Sequence, residues 1–220
     1  MTRISAFERL KSLPEVFTTR SLPGLLGTDR KSASVCLARW RKRGFISSLG
    51  PQAGVHFNLV LNPQAERERH MDAIAHLLPG ARMAGVTALW MEGWTTQYPR
   101  RAEIMVPARP SFPKLHGVEL HSRPPDWFKV ARDHVLVPGP VPRLAPTFAL
   151  ADCWASGLWR PDPDDIEWDL VDKTELERAF GLFGLDLPEG WTSDPCYIHE
   201  MDGRVIAATK AAIETPPDPA

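Results

Sequence analysis

Residues 28–59 of this chain read TDRKSASVCLARWRKRGFISSLGPQAGVHFNL. The stretch opens with a helical pattern that Thr28 or Asp29 can cap, and the pattern ends in four clustered cations and a stop at Gly44. Two short apolar runs follow, on either side of a polar tip at residues 50–54. A helix with a basic end and a following hairpin is typical of a winged helix-turn-helix, which places one helix in the DNA major groove and lays the hairpin along the backbone.

The helix that begins at Asp29 has one apolar stripe and an outward face of polar and basic side chains. Ala33, Leu37 and Trp40 fall at i, i+4 and i+7, so we expect them to be buried together. Side chains in the first half can meet base edges, and the later cations are better placed for phosphates. The predicted DNA contacts are Arg30, Lys31, Ser32, Ser34 and Val35 for bases, Arg39, Arg41, Lys42 and Arg43 for phosphates, and Gln52 and His56 on the hairpin.

Each arginine taken singly has a second interpretation, a solvated charge that complements the C-terminal end of the helix dipole. The charge distribution of the whole chain favours the DNA hypothesis, although the net charge is only −1. Residues 1–60 carry ten Lys/Arg and three Asp/Glu, residues 61–150 carry eleven and eight, and residues 151–220 carry five and sixteen. A basic head suits phosphate neutralisation, and an acidic far end repels DNA and helps to fix the face that meets it.

Other features of the sequence restrict the class of protein. No apolar run approaches the roughly 18 residues of a spanning helix, and the first residues are amphipathic and charged, unlike a signal peptide. Cys36, Cys153 and Cys196 are scattered, which suits a reducing cytosol and argues against a disulfide framework or a zinc site. We therefore expect a cytoplasmic protein with no membrane partner.

The remaining periodic segments predict an α+β fold. A short helix should run from a cap at Thr18 or Thr19 to a stop at Gly27. Further helices are expected at residues 4–13, 63–78, 84–93, 146–156 and 170–183, and strands at 101–106, 117–122 and 135–137. This pattern predicts a winged helix-turn-helix domain at 1–62, a mixed α/β C-terminal domain at 63–214 and a disordered tail at 215–220.

Motifs of catalysis are missing from the sequence. It contains no GxGxxG, no GxxxxGK[ST] phosphate loop and no GxSxG elbow. His116 and His121 suit polar surface positions better than a metal pair. The acidic run at residues 162–172 could hold Mg²⁺, but it is more typical of an exposed turn and a helix start. We expect no catalytic residue, no metal ligand and no cofactor, and a protein that is not an enzyme.

Three stretches of the C-terminal part resemble one family. They are TALWMEGWTTQYPRRAEIMVPAR at 87–109, GVELHSRPP at 117–125, and LAPTFALADCWASG at 144–157, with a Pro-x-x-Ala-Leu-like helix start from Pro146 to Asp152. Together with the N-terminal pattern, they make residues 5–185 similar to the AbiEi family of antitoxins of type IV toxin–antitoxin systems. The sequence after residue 185 and the number of tryptophans depart from that family.

The resemblance implies a repressor of its own operon that binds double-stranded DNA, usually at inverted repeats. It also implies a C-terminal domain that counters a nucleotidyltransferase-like toxin, not necessarily in a stable complex. Arg100, Arg101 and Arg109 are candidates for that role or for additional DNA contact, or are solvated loop arginines. Two alternatives remain: a ligand-sensing repressor with a small-molecule site in its C-terminal domain, and a nucleotidyltransferase-like enzyme that uses the acidic run.

Overall fold

The computed structural model describes residues 5–188 and Trp191, which form an α+β fold with two sheets. The first elements are α1 (Ala6–Lys11), β1 (Val16–Thr18), α2 (Leu22–Leu26), α3 (Arg30–Lys42), β2 (Ile46–Ser48) and β3 (Val55–Asn58). The later elements are α4 (Ala65–Glu68), α5 (His70–Leu77), β4 (Arg82–Met83), α6 (Gly85–Met91), β5 (Ala102–Pro107), β6 (Val118–Arg123), α7 (Pro125–Ala131), β7 (Val135–Val137), β8 (Arg143–Leu144), α8 (Pro146–Ser156) and α9 (Lys173–Gly181). None of the described helices has the length and apolar character needed to cross a membrane.

Helix α3 forms as its sequence predicts. The Asp29 carboxylate accepts hydrogen bonds from the backbone N–H groups of Lys31 at 2.8 Å and Ser32 at 3.0 Å, which satisfies two donors at the start of the helix. The predicted stripe of Ala33, Leu37 and Trp40 is buried. The helix therefore turns one apolar face inward and leaves its charged face outward.

The elements before α3 differ in part from the expectation. Helix α1 starts at Ala6, after Ser5 accepts a hydrogen bond from the Glu8 N–H at 3.1 Å. The expected cap of the second helix at Thr18 or Thr19 is wrong, because Thr18 pairs with Val55 in a strand and the helix begins at Leu22. Its predicted end at Gly27 is confirmed, where φ is 59° and favours glycine.

The first sheet is antiparallel in the order β1-β3-β2 and is buried on both faces. All four residues of β3 are buried. Val55 and Phe57 belong to a cluster that includes Ile74 of α5 and Ile104 of β5. On the other face, Phe17 packs with Trp40 of α3 in a separate cluster. The first sheet thus lies between α3 and the C-terminal part of the chain, and the cluster on its second-sheet side contains residues from both sides of residue 62.

The second sheet has the strand order β6-β5-β4-β8-β7 and mixed pairing. Strands β5 and β6 are parallel, as are β4 and β8, whereas β4–β5 and β7–β8 are antiparallel. Because side chains alternate along a strand, Ile104 and Val106 face the cluster shared with the hairpin. Met105 faces the opposite cluster, which contains Leu89 of α6, Leu150 of α8 and other residues of α8 and α9.

Residues 108–117 connect the parallel strands β5 and β6 and contact the hairpin on the way. Phe112 and Leu115 pack in the cluster that contains Val55 and Phe57. The backbone N–H of His116 donates to the carbonyl of Leu49 at 3.1 Å. Gly50 lies so close to this segment that a Cβ there would overlap the carbonyl oxygen of Lys114. The segment therefore holds the turn of the hairpin against the second sheet.

The other sequence expectations are confirmed in most elements. Helix 146–156 has the predicted bounds, and the elements expected at 84–93, 101–106, 117–122 and 135–137 form with small shifts at their ends. The helix expected at 63–78 is interrupted at Arg69. The helix expected from residue 170 starts at Lys173, and α7, β1, β4 and β8 were not predicted. The predicted tail at 215–220 lies outside the described residues.

Replacing Gly50 by Ala should lower the free energy of unfolding by about 1–3 kcal/mol, because the new methyl group has no room beside the Lys114 carbonyl. Gly24→Ala is the matched control, since an added Cβ meets no atom within 4 Å and alanine favours the helix. Urea unfolding of both variants measures the effect. Equal midpoints for Gly50→Ala and the wild type would contradict the contact.

Candidate nucleic-acid interface

The outer face of α3, together with its flanks and its C-cap Arg43, carries six exposed Lys and Arg side chains. Val35, at the centre of this face, is 43% exposed. The exposed members of the predicted set are Arg30, Lys31, Ser32, Ser34, Val35, Arg39, Arg41, Lys42, Arg43 and Gln52. None of the six cations among them forms an ion pair with a described residue. Their charges are therefore available to an external anion.

The start of α3 fixes one of these side chains. The Ser32 hydroxyl donates to the Asp29 carboxylate at 2.7 Å, so its proton is already used in the helix cap. This hydrogen bond, together with the one from the Ser32 backbone N–H, holds the pKa of Asp29 below its ordinary value. Ser32 can meet a base as an acceptor, or as a donor only after it gives up the bond to Asp29.

Two clefts run along the flanks of α3. The cleft between α2 and α3, of about 420 Å³, is bordered by Arg20, Arg30 and Ser34. The cleft between α1 and α3, of about 390 Å³, is bordered by Arg9, Arg39 and Arg43. Arg9 and Arg20 were not in the predicted set, and both are exposed beside its cations. Basic side chains therefore line the clefts on both flanks of α3.

His56 does not belong to this surface, which corrects the prediction that it contacts DNA. Its side chain is 1% exposed, its Nε2 is hydrogen-bonded with Thr19 Oγ1 at 2.8 Å, and its ring packs on Phe17. Burial, with a smaller contribution from the Arg41 charge, lowers the pKa of His56 to about 4. The histidine is therefore neutral near pH 7, and it is part of the core between the sheet and the helices.

The hairpin offers little surface apart from its tip. Pro51 and Gln52 are exposed, whereas Leu49, Gly50 and Ala53 are buried. Ser48 donates a hydrogen bond to the Gly50 carbonyl at 2.8 Å, within the same turn. The structure thus leaves Gln52 exposed at the tip of the hairpin.

The acidic run at residues 162–172 is used in local capping. The Asp165 carboxylate accepts hydrogen bonds from the Asp162 N–H at 3.1 Å and from the Gln97 amide at 2.7 Å. Asp172 caps α9 by accepting from the Glu175 N–H at 3.1 Å. Within the described residues, no group of three or more His, Cys, Asp or Glu side chains is placed to hold a metal ion.

A buried ion pair joins three elements of the C-terminal part. Asp152 of α8 is 1% exposed and accepts two hydrogen bonds from Arg123 of β6, at 2.8 and 2.7 Å. Trp127 of α7 donates to the same carboxylate at 2.8 Å. A bidentate arginine–carboxylate pair fixes both position and orientation, so this contact joins the edge strand to α7 and α8. The sequence motif that contains Asp152 does not indicate that Arg123 and Trp127 are its partners.

Two of the predicted C-terminal arginines border a shallow polar cleft. Arg100 and Arg101 line a space of about 440 Å³ together with Tyr98, Glu103 and Glu119. Burial raises the pKa of Glu103, whose carboxylate accepts from the Val86 N–H at 2.6 Å. Arg109 lies elsewhere, above the ring of Phe112 at 5.6 Å. The three arginines therefore form no single site.

Comparison with known proteins finds similarity among solved structures. No protein-family model and no curated protein matches the chain. The chain is similar to the crystal structure of the Rv2827c protein from Mycobacterium tuberculosis, with 21% sequence identity and a TM-score of 0.48. The similarity covers 81% of this chain and 72% of that one.

Acidification should destabilise the protein partly through His56. Its pKa is about 4 in the folded chain against an ordinary value of 6.5, so between these values the unfolded state binds a proton that the native state does not. The free energy of unfolding should therefore fall as the pH is lowered through this window. His70 and His121, whose pKa values are also lowered by burial, act in the same direction.

Comparison with His56→Gln isolates the contribution of this histidine. Urea unfolding at about pH 7 and about pH 5 should show a smaller loss of stability in the variant than in the wild type, because glutamine does not titrate. The quantity compared is the change in the free energy of unfolding between the two pH values, so a lower stability of the variant at pH 7 does not affect the result. An identical pH-dependent loss in the two proteins would show that His56 does not remain neutral in the folded chain.

Proposed function

We propose that this protein is a DNA-binding transcriptional regulator whose residues 5–62 form a winged helix-turn-helix. The observation that carries the proposal is the set of six Lys and Arg side chains along α3 and at its C-cap Arg43, which are exposed and make no ion pair with a described residue. The order α1-β1-α2-α3-β2-β3, with a three-stranded antiparallel sheet, supports the same assignment. Helix α3 would be the recognition helix.

The geometry of α3 suits the major groove. Thirteen residues give a helix about 20 Å long, and the open flanks leave its outer face free to enter a groove about 12 Å wide. Arg30, Lys31 and Val35 lie in the half that meets base edges, where cations bond guanine and an apolar side chain meets the thymine methyl group. Arg41 and Arg43 lie at the other end and would contact phosphates.

We further propose that the protein is an antitoxin of a type IV toxin–antitoxin system, which represses its own operon and counters a nucleotidyltransferase-like toxin in the cytoplasm. This part rests on the resemblance of the C-terminal stretches to the AbiEi family. Its support in the molecule is that these stretches supply neighbouring elements: α6 packs with α8, and β5 pairs with β6. Cleft-lining Arg100 and Arg101 are candidates for the toxin-directed role.

Two double variants test the DNA-binding assignment. Arg30→Ala with Lys31→Ala should reduce preference for the operator about tenfold or more per lost base contact. Arg41→Gln with Arg43→Gln should weaken binding equally on all sequences and lower the slope of log Kd against log salt by about one per cation. Fluorescence anisotropy with a duplex from upstream of the gene and an unrelated duplex measures both. Unchanged preference and unchanged slope would remove α3 as the DNA-binding helix.

Growth rescue tests the antitoxin assignment with the full chain. Co-expression with a nucleotidyltransferase-like toxin encoded beside the gene should restore growth. The Arg41→Gln, Arg43→Gln variant should restore growth to the same extent, because the toxin-directed role is assigned to the C-terminal part. Continued growth arrest with the wild-type chain, at matched expression, would reject the antitoxin role and leave DNA binding as a separate result.

A further inference from the structure

The turn of the hairpin lies between two cations that come from distant parts of the chain. On one side, the Thr19 N–H donates to the Gly54 carbonyl at 2.7 Å, which places the neighbouring Arg20 beside the turn. On the other side, Gly50 contacts the carbonyl oxygen of Lys114. Arg20 precedes α2, and Lys114 belongs to the segment between β5 and β6. Each end of the hairpin turn thus has a backbone contact at or next to a basic residue.

Both cations are available to an external anion. The side chains of Arg20 and Lys114 are exposed, and neither forms an ion pair with another residue in the described part of the chain. The backbone close to each of them is held in place by a hydrogen bond, from Thr19 to Gly54 beside Arg20 and from His116 to Leu49 two residues after Lys114. The starting points of both side chains are therefore fixed relative to the hairpin.

Arg20 also lies next to α3. Arg20 and Arg30 border the same cleft between α2 and α3. Basic groups therefore occur at the start of α3, at Arg20 next to one end of the hairpin turn, and at Lys114 next to the other end. A duplex that receives α3 in its major groove presents the phosphates of the flanking minor groove to a neighbouring hairpin, so charge beside the turn would lie along the backbone.

We propose that Arg20 and Lys114 contact DNA phosphates on either side of the hairpin, so that the segment at residues 108–117 is part of the DNA interface. This inference rests on the proposed function of α3 and extends it to the C-terminal part of the chain. Both contacts are electrostatic and independent of base sequence, since a lysine ammonium or an arginine guanidinium on a phosphate carries no sequence information.

The test is a salt titration of DNA binding by the full chain with single variants Arg20→Gln and Lys114→Gln and the double variant. Each single change should lower the slope of log Kd against log salt by about one, and the double by about two. Kd should rise by the same factor on the upstream duplex and on an unrelated duplex. Arg178→Gln is the matched control, because this exposed cation lies on α9, across the second sheet from residues 108–117.

The α3 variant Arg41→Gln, Arg43→Gln distinguishes a failure of the proposed hairpin contacts from a failure of the proposed function of α3. If it loses slope while Arg20→Gln and Lys114→Gln behave like Arg178→Gln, the inference about the hairpin flanks is wrong and the function of α3 stands. If the α3 variant also keeps the wild-type slope, the proposed function itself fails. A loss on one duplex only would contradict the phosphate role. Unfolding curves that match the wild type confirm that each variant is folded.

Discussion

The burial of β3 on both faces is the constraint on which the arrangement of this molecule depends. Val55 and Phe57 pack toward the second sheet, while His56 packs on Phe17, in the cluster that contains Trp40 of α3. A strand that is buried on both sides cannot slip by one residue without exchanging apolar and polar side chains between the two cores. The register of β3 therefore fixes α3 relative to the C-terminal part of the chain.

The polar residues of β3 add specificity to this packing. His56 is hydrogen-bonded with Thr19, and the Asn58 amide donates to the carbonyl of Leu10 at 2.7 Å. A buried polar group without a partner costs about 1–3 kcal/mol, so each of these residues requires its partner in place. Because the partners lie at the end of α1 and before α2, the strand positions both segments around α3.

The sequence predicted the features that depend on interactions between residues close in sequence. The features that it did not predict depend on tertiary contacts. The Asp29 cap and the stripe of Ala33, Leu37 and Trp40 predicted α3 because capping and helical spacing act within a few residues. His56 is buried because other elements pack on both faces of β3. The alternation of apolar and polar residues within β3 does not show that packing. The interruption of the helix expected at 63–78 falls at Arg69, which pairs with Glu15, 54 residues away in sequence. The exposure of the α3 cations was predictable from the sequence, whereas the burial of His56 was not.

The uneven charge of the chain has different structural consequences at its two ends. In the acidic part, Asp165 and Asp172 accept backbone hydrogen bonds at the start of a turn and of α9. In the basic part, the cations of α3 have no carboxylate partner among the described residues, and like charges on one helix oppose its compact state. A polyanion on this face would relieve that repulsion, and a ligand that binds only the folded state stabilises it. Under the proposed function, the affinity for DNA and the stability of residues 5–62 are therefore coupled quantities.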